Sequence, residues 1–147
     1  MNKKLLIILI PVLVIVAAAA GWMAMRGDSA TAADARAPGP VYEIEKPFVV
    51  NLADGAGVPR FLKAALALQL SESSAGEYTA RAGAEPARVK DDAQVRDIII
   101  STLQSRTSRQ LATDKGRRGT KREVIRRINA DTGLTVLDVY FTEFAIQ

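Results

Sequence analysis

The 147-residue chain carries 20 lysines and arginines against 16 aspartates and glutamates, a formal net charge of +4, with neither cysteine nor histidine. Without cysteine there is no disulfide framework, thiolate metal site or thiol for lipid attachment, and without histidine the commonest metal ligand and acid–base catalyst is missing. The basic excess is too small to indicate nucleic-acid binding by itself.

An uncharged apolar segment, residues 5–25, follows Lys3 and Lys4 and ends before Arg26. About 20 apolar residues in a helix cross the hydrocarbon core of a bilayer, so residues 1–26 are predicted to form a cytoplasmic start and a transmembrane anchor. Because Lys3 and Lys4 outnumber Arg26, the N-terminus is predicted to be cytoplasmic and the remainder of the chain exported.

Four residues characterise the predicted anchor. Leu5 and Met25 lie at the two ends of the span. Pro11 is a proline of the kind that spanning helices tolerate, and Trp22 is suited to the far membrane interface. The alternative is a cleaved signal peptide, with small-residue cleavage sites at residues 18–20 or 30–32. The uncharged run extends further than a signal peptide needs, which favours the anchor.

Residues 27–40 contain small and polar residues, one arginine and no large apolar side chain. Such a composition cannot bury a core and predicts a flexible linker. The remaining residues, 41–147, are predicted to form one exported domain.

Two strands are predicted at the start of this domain. Residues 41–52 mix aromatic and β-branched residues around Pro47, which marks an edge, a bulge or a strand start. Residues 60–70 alternate, with one side of the strand formed by Leu62, Ala64, Leu66, Leu68 and Leu70. This period of two predicts a half-buried strand, although alanine and leucine leave helix as the alternative.

Two helices and a last strand follow a predicted loop at residues 71–84. The first helix is predicted to start near Pro86 and to bury Val95, Ile98, Ile99 and Leu103, with an Asp92–Arg96 ion pair on its surface. The second is predicted to begin at a cap provided by Thr113 or Thr120 and to stop at Gly133, with an apolar stripe of Val124, Ile125 and Ile128.

The last strand is predicted over residues 135–147. Its inward candidates are Val136, Tyr140, Phe144 and Ile146, and because the opposite set is also largely apolar, the strand is predicted to be central and covered on both faces. The order strand, strand, helix, helix, strand predicts an α+β domain with its helices on one face of the sheet.

Basic residues are concentrated between Arg106 and Arg127. Arg118, Arg122 and Arg126, four residues apart, align on one helix face if that helix begins at Thr113. This row is the candidate contact for an acidic protein or a lipid headgroup. The alternative is a solvated helix face on which Glu123 pairs with Arg127. No aromatic residue interleaves the arginines, so nucleic-acid binding is not predicted.

No catalytic, cofactor-binding or metal-binding constellation is predicted. Asp91 and Asp92 fit compensation of a helix dipole, Asp54 lacks the spacing of a calcium loop, and residues 116–119 lack the ending of a phosphate loop. A non-enzymatic protein without cofactor is therefore expected.

Four segments in order resemble the flagellar basal-body-associated FliL family. They are YEIEKPFVVNL at 42–52, RFLKAALALQL at 60–70, VRDIIISTLQS at 95–105 and VYFTEFAIQ at 139–147. The chain departs from the family pattern at residues 72–87 and in the arginine-rich segment 116–127.

This resemblance implies a single-pass protein of the bacterial inner membrane with a stomatin-like exported domain. It further implies association with stator units at the flagellar basal body, assembly into a homo-oligomeric ring, and support of torque for swimming or swarming. Two alternatives stay open: a general stomatin-like membrane scaffold, and a cleaved soluble binding protein.

Overall fold

The computed structural model describes residues 37–55, 57–80, 83 and 85–147, so the predicted anchor, its cleavage alternative and most of the predicted linker lie outside the described residues. The strands are β1 Pro38–Glu43, β2 Phe48–Asn51, β3 Phe61–Ser71, β4 Tyr78–Thr79, β5 Arg88–Val89 and β6 Val136–Ile146. The α-helices are α1 Asp92–Gln104, α2 Ser108–Leu111 and α3 Asp114–Asp131, and a 3-10 helix spans Glu72–Glu77.

The main sheet is organised around β3, which is antiparallel to every strand it pairs with. β1 and β2 follow one another along one edge of β3, and β6 pairs along the whole of the other edge. The prediction that the last strand is central and covered on both faces is therefore wrong. β3 is the central strand, and β6 is an edge strand within the described residues.

The alternation predicted for residues 60–70 is confirmed, and the helical alternative for this segment is wrong. Leu62, Leu66, Leu68 and Leu70 are fully buried, whereas Phe61 and Lys63 on the opposite face are exposed. Burial of alternate side chains on a pleated strand overrides the helix preference of leucine and alanine.

Two bulges in β6 correct its predicted inward face. Register shifts opposite β3 leave Leu137 and Thr142 as extra residues, and each extra residue reverses the alternation of side chains. Val136, Phe144 and Ile146 lie opposite buried β3 residues as predicted, but so do Val139 and Phe141. Tyr140, predicted to be inward, instead pairs with Ala67 on the outer face and is 40% exposed.

The first strand starts earlier than expected. β1 begins at Pro38, so residues 38–40, expected to lie in the linker, belong to the sheet. A Cβ atom at Gly39 would lie 2.5 Å from the carbonyl oxygen of Ser71, so the close approach of β1 to β3 requires glycine there. Pro47 lies in the break between β1 and β2, which fits the predicted interruption.

The segment before the first helix is more ordered than the predicted loop, and the predicted helix start near Pro86 is wrong. The 3-10 helix and the small β4–β5 hairpin occupy this region, and α1 begins only at Asp92. Asp91 precedes it in the left-handed conformation, with a φ of 60°. The two-residue strand β5, between Pro86 and α1, is too short to show the hydrophobic periodicity from which an element is predicted.

The helices pack on one face of the sheet, which confirms the α+β class. All four predicted inward residues of α1 are buried, and Val124 and Ile128 anchor α3 to the same core. Thr113, rather than Thr120, caps α3, accepting a hydrogen bond from the backbone N–H of Gly116 at 3.0 Å. Gly133 lies two residues beyond the helix end, as expected of a C′ residue.

A short helix, α2, was not predicted. Thr107 and Gln110 form a reciprocal capping box at its start, and Leu111 is buried beneath it. Asp54 accepts hydrogen bonds from the backbone N–H and the hydroxyl of Ser108, at 3.0 and 2.7 Å, and so ties the loop after β2 to this helix. None of the helices in the described part of the chain is long and apolar enough to span a bilayer.

Candidate protein-interaction surface

The row of Arg118, Arg122 and Arg126 lies along the exposed side of α3. The Thr113 cap starts the helix early enough for Arg118 to belong to it, which was the condition for the three residues to align. All three side chains are exposed to solvent, in a helix whose opposite side buries Thr120, Val124 and Ile128. We call these three residues the arginine row.

One member of the arginine row is neutralised. Arg126 pairs with Glu123 through two contacts, at 2.6 and 3.1 Å, and this hydrogen bond lowers the pKa of Glu123. The pair between Glu123 and Arg127, which the alternative of a solvated helix face included, is therefore not formed. Arg127 turns towards α1 instead, where it donates to the hydroxyls of Ser101 at 2.8 Å and Thr102 at 3.0 Å.

Arg118 and Arg122 form no ion pair with the residues that the structure describes. They are the uncompensated cations of the row. Since exposed guanidinium groups bind carboxylates or phosphates with two parallel hydrogen bonds, they are available to an anionic partner.

A groove of about 370 Å³ runs between α3 and β6, beside the arginine row. Its lining comprises Asp114, Arg117, Arg118, Lys121, Phe141 and Phe144. Arg117 lies 5.9 Å from the ring centre of Phe144, and Lys121 lies 5.7 Å from that of Phe141. Cations at this distance from ring faces are held by the ring quadrupole, so basic and aromatic side chains share one surface.

Two basic residues share the helical sector of the apolar stripe of α3. Arg117 and Lys121 fall in the helical sector of the stripe, and their side chains cover half-buried aromatic rings of β6 rather than entering the core. Arg117 also donates to the carbonyl oxygens of Leu111 and Ala112, and it forms an ion pair with Asp114. Arg117 is therefore a structural residue, while Lys121 remains accessible at the groove.

Three acidic residues that a catalytic or metal site could recruit have structural partners. Asp92 accepts a hydrogen bond from Tyr42, Asp54 binds Ser108, and Glu143 pairs with Lys63 at 2.6 Å. Among the described residues, no group of three acidic residues could hold a metal ion. A cavity of about 470 Å³ beside the break after β1 brings the side chains of Glu43 and Glu45 together.

Sequence reasoning found the arginine row but missed the residues beside it. Phe141 and Phe144 join the groove because the bulge at Thr142 places both on the inner side of β6. No local signal reveals that bulge. Asn129, one turn beyond Arg126 on α3, is a further member of this side of the helix, and its side chain contacts the backbone of Val136.

Comparison with known proteins places these features in a family. Residues 41–147 match the sequence profile of a family described as flagellar basal body-associated protein FliL. The chain is 33% identical over 112 residues to the flagellar protein FliL of Aquifex aeolicus strain VF5. This similarity covers 74% of the chain and 62% of the relative, so the chain spans less than two thirds of that relative's length. Both matches agree with the resemblance of the four sequence segments.

Proposed function

Because this chain belongs to the FliL family of flagellar basal body-associated proteins, we propose that it is a non-enzymatic accessory protein of the flagellar motor. It associates with stator units at the basal body and supports torque for swimming or swarming. The observation that carries this proposal is the family match, which extends from Val41 in β1 to the end of β6.

The proposed topology is a single pass through the bacterial inner membrane. Residues 1–26 provide the cytoplasmic start and the anchor, with Leu5 and Met25 at the ends of the span. The residues from 27 to the start of β1 at Pro38 tether the domain on the exported side. The apolar, uncharged character of residues 5–25 and the two lysines before it support this arrangement.

The proposed mechanism is mechanical. Copies of the domain assemble into a ring around a stator unit, and this sleeve favours the active state of the stator. Such an effect requires the ring to bind the active state more tightly than the inactive state. No metal or cofactor takes part.

The contact with the stator is proposed to use the arginine row. Arg118 and Arg122 contribute most because they lack an ionic partner among the described residues, whereas Arg126 is already paired with Glu123. Buried or half-buried ion pairs at such a contact give orientation and specificity more than raw affinity.

In-cell crosslinking of the tagged full-length chain, followed by mass spectrometry of the membrane fraction, tests the proposal. Crosslinks to stator subunits and between copies of the chain are expected. Self-crosslinks without stator crosslinks would favour the general membrane scaffold. Normal stator occupancy and torque in cells lacking the protein would contradict the proposed function.

The role of the arginine row is tested separately by the double substitution Arg118→Glu and Arg122→Glu. Fewer stator crosslinks and weaker motility are expected, since reversal of two exposed charges opposes an acidic partner. The matched control is Arg109→Glu, an exposed arginine on α2 outside the row. If the double variant and the control lost stator crosslinks and motility equally, the arginine row would be a solvated helix face rather than a partner contact.

The absence of natural cysteine makes the topology directly testable. Single cysteines at Asn2 and Arg109 are expected to differ: a membrane-impermeant maleimide should label Arg109→Cys in intact cells, and Asn2→Cys only after lysis. Loss of the N-terminal residues from the mature chain would instead identify a cleaved, soluble protein and overturn the anchor.

A further inference from the structure

The edge of β6 that faces away from β3 carries unpaired backbone groups. Phe61 and Gln147 exchange both backbone hydrogen bonds, each 2.8 Å long. In an antiparallel ladder such pairs alternate with pairs whose N–H and C=O groups point away from the partner strand. Because Gln147 is a paired position, this alternation makes the backbone N–H and C=O groups of Ile146 and Phe144 point to the free edge.

The other end of β6 shows what a partner at this edge would do. The backbone N–H of Ser71 donates to the carbonyl oxygen of Thr135, so Thr135 is a paired position of the ladder. The backbone N–H and C=O of the next residue, Val136, therefore point away from β3. Asn129 satisfies them both: its Oδ1 accepts from the N–H of Val136 at 2.7 Å, and its Nδ2 donates to the C=O at 3.0 Å. The Asn129 amide thus occupies the place of one residue of a neighbouring strand.

Further along, the edge lacks such a substitute. The N–H of Val139 bonds to the carboxylate of Asp138 at 2.7 Å, but no bond among the described residues satisfies the outward groups of Phe144 and Ile146. The bulge at Thr142 interrupts the edge before Phe144, and uninterrupted pairing is available after it. Unpaired edges of this kind accept an additional strand.

The helix α3 forms a basic wall along this edge. It runs antiparallel to β6, with Asn129 beside Val136, Lys121 beside Tyr140 and Phe141, and Arg117 beside Phe144. Arg118 lines the same groove. A strand added at Phe144 and Ile146 would therefore lie beside the groove that Arg118 and Lys121 line together with Phe144.

We propose that the free edge of β6 binds an extended peptide segment rich in carboxylates, which adds as a strand at Phe144 and Ile146. Its backbone pairs with the edge, alternate side chains meet the rings of Phe141 and Phe144, and its carboxylates reach Arg118 and Lys121. This deepens the proposed function, on which it rests for the existence of a protein partner.

Charge argues against the β6 edge of a second copy as the occupant. Two β6 edges paired with each other would bring two arginine rows to one seam, and like charges placed together across an interface are unfavourable. A free phosphate would satisfy Arg118 but would leave the row of backbone donors and acceptors unused. An extended acidic segment satisfies both sets of groups.

The first test measures binding of a short fluorescent peptide of alternating glutamate and valine to the purified full-length chain in detergent. Saturable, salt-sensitive binding is expected, with protection of the Phe144 and Ile146 amides from hydrogen exchange. The same peptide N-methylated at alternate residues retains its charge but cannot pair on that edge, so its binding should be lost. A lysine–valine peptide should not bind.

Protein variants locate the site. Arg118→Glu should weaken binding about tenfold, as expected for reversal of a charge that contacts a carboxylate. Arg109→Glu should leave binding unchanged. Phe144→Ala should weaken binding by loss of the ring, and Phe144→Pro should abolish it, because proline also removes the outward N–H.

Equal binding of the N-methylated peptide, or no binding of the glutamate–valine peptide, would overturn the proposal without requiring any altered protein. Dissociation of an oligomer of the chain alone by Phe144→Pro would identify a second copy as the occupant and also overturn it. A chain that binds the peptide but crosslinks to no stator subunit would contradict the proposed function and leave the edge site standing.

Discussion

The hydroxyl of Tyr42 donates to Oδ1 of Asp92 across 2.5 Å, joining β1 to the first turn of α1. Tyr42 is 2% exposed, and its ring packs edge-to-face on Tyr78 at 6.1 Å. The predicted ion pair between Asp92 and Arg96 is absent, since Arg96 lies over the ring of Phe48 at 4.7 Å. The long-range hydrogen bond replaces a local pair.

This hydrogen bond predicts a loss of stability at alkaline pH. Burial first, then the hydrogen bond to Asp92 and its charge, raise the pKa of Tyr42 above its ordinary value. The folded state therefore favours the protonated phenol: the stabilisation is complete below about pH 10, the unfolded value, and is lost as pH rises through the folded pKa. Urea unfolding followed by circular dichroism across this range measures it.

The variant Tyr42→Phe should remove that alkaline dependence and cost about 1–2 kcal/mol at neutral pH, because a hydrogen bond to a charged acceptor is lost. Tyr140, which is 40% exposed, provides the matched control. An ultraviolet titration of the wild-type chain and Tyr42→Phe whose difference places the ionisation of Tyr42 at about pH 10 would contradict this prediction.

Two glycines of α3 should respond oppositely to alanine. A Cβ at Gly116 would lie 1.8 Å from the carbonyl oxygen of Gln110, whereas nothing lies within 4 Å of one at Gly119. We expect Gly116→Ala to destabilise the domain by about 2 kcal/mol or more through displacement of α2. Gly119→Ala should stabilise it by about 0.5–1 kcal/mol through helix propensity. Thermal unfolding of both variants is the measurement, and equal effects would refute the close approach.

The partners of Glu123 and Arg127 can be separated by substitution. Arg127→Met should destabilise the domain by about 1–3 kcal/mol, because the contact of α3 with Ser101 and Thr102 is lost. Glu123→Gln should change stability by less than about 1 kcal/mol, since it removes an exposed pair with Arg126. If the double variant showed strong coupling between the two positions, Glu123 and Arg127 would be partners after all.

Asn129 should contribute to stability although its own side chain is exposed. Asn129→Ala leaves the N–H and C=O of buried Val136 without their partners, for an expected cost of about 1–2 kcal/mol. Asn129→Asp retains the acceptor and should cost less. Denaturant unfolding distinguishes the two variants. Equal costs would contradict this expectation, because they would show that the acceptor retained by Asn129→Asp does not stabilise the domain on its own.

Elements with a pure period could be predicted from the sequence, and those with an insertion could not. β3 alternates without interruption, so its buried leucines and its strand conformation followed from the pattern. β6 contains two extra residues, and each one reverses the faces that a strict alternation assigns. The wrong placement of Tyr140 results from this alone, because a bulge is defined by pairing with another strand.

Side-chain partners were less predictable than elements. The helix cap is a local property, and the sequence limited it to Thr113 or Thr120; the arginine row aligns only with the first of these, which the structure selects. Arg127 and Arg96, by contrast, find partners on other elements, at Ser101 and over Phe48. A four-residue spacing allows a surface ion pair worth a few tenths of a kcal/mol, which a tertiary contact readily replaces.

The early start of β1 determines which hydrogen bonds bear a mechanical load applied to the domain from its N-terminal side. The backbone N–H of Glu72 donates to the carbonyl oxygen of Ala37 at 2.8 Å. The side-chain Nε2 of Gln69 donates to the carbonyl oxygen of Gly39, also at 2.8 Å. A pull on the chain from its N-terminal side is thus resisted by hydrogen bonds at the corner of the sheet. Gly39 lets β1 approach β3 closely enough for these hydrogen bonds to form. A bulkier residue there would detach the start of β1 from the sheet and so lengthen the segment that precedes the domain.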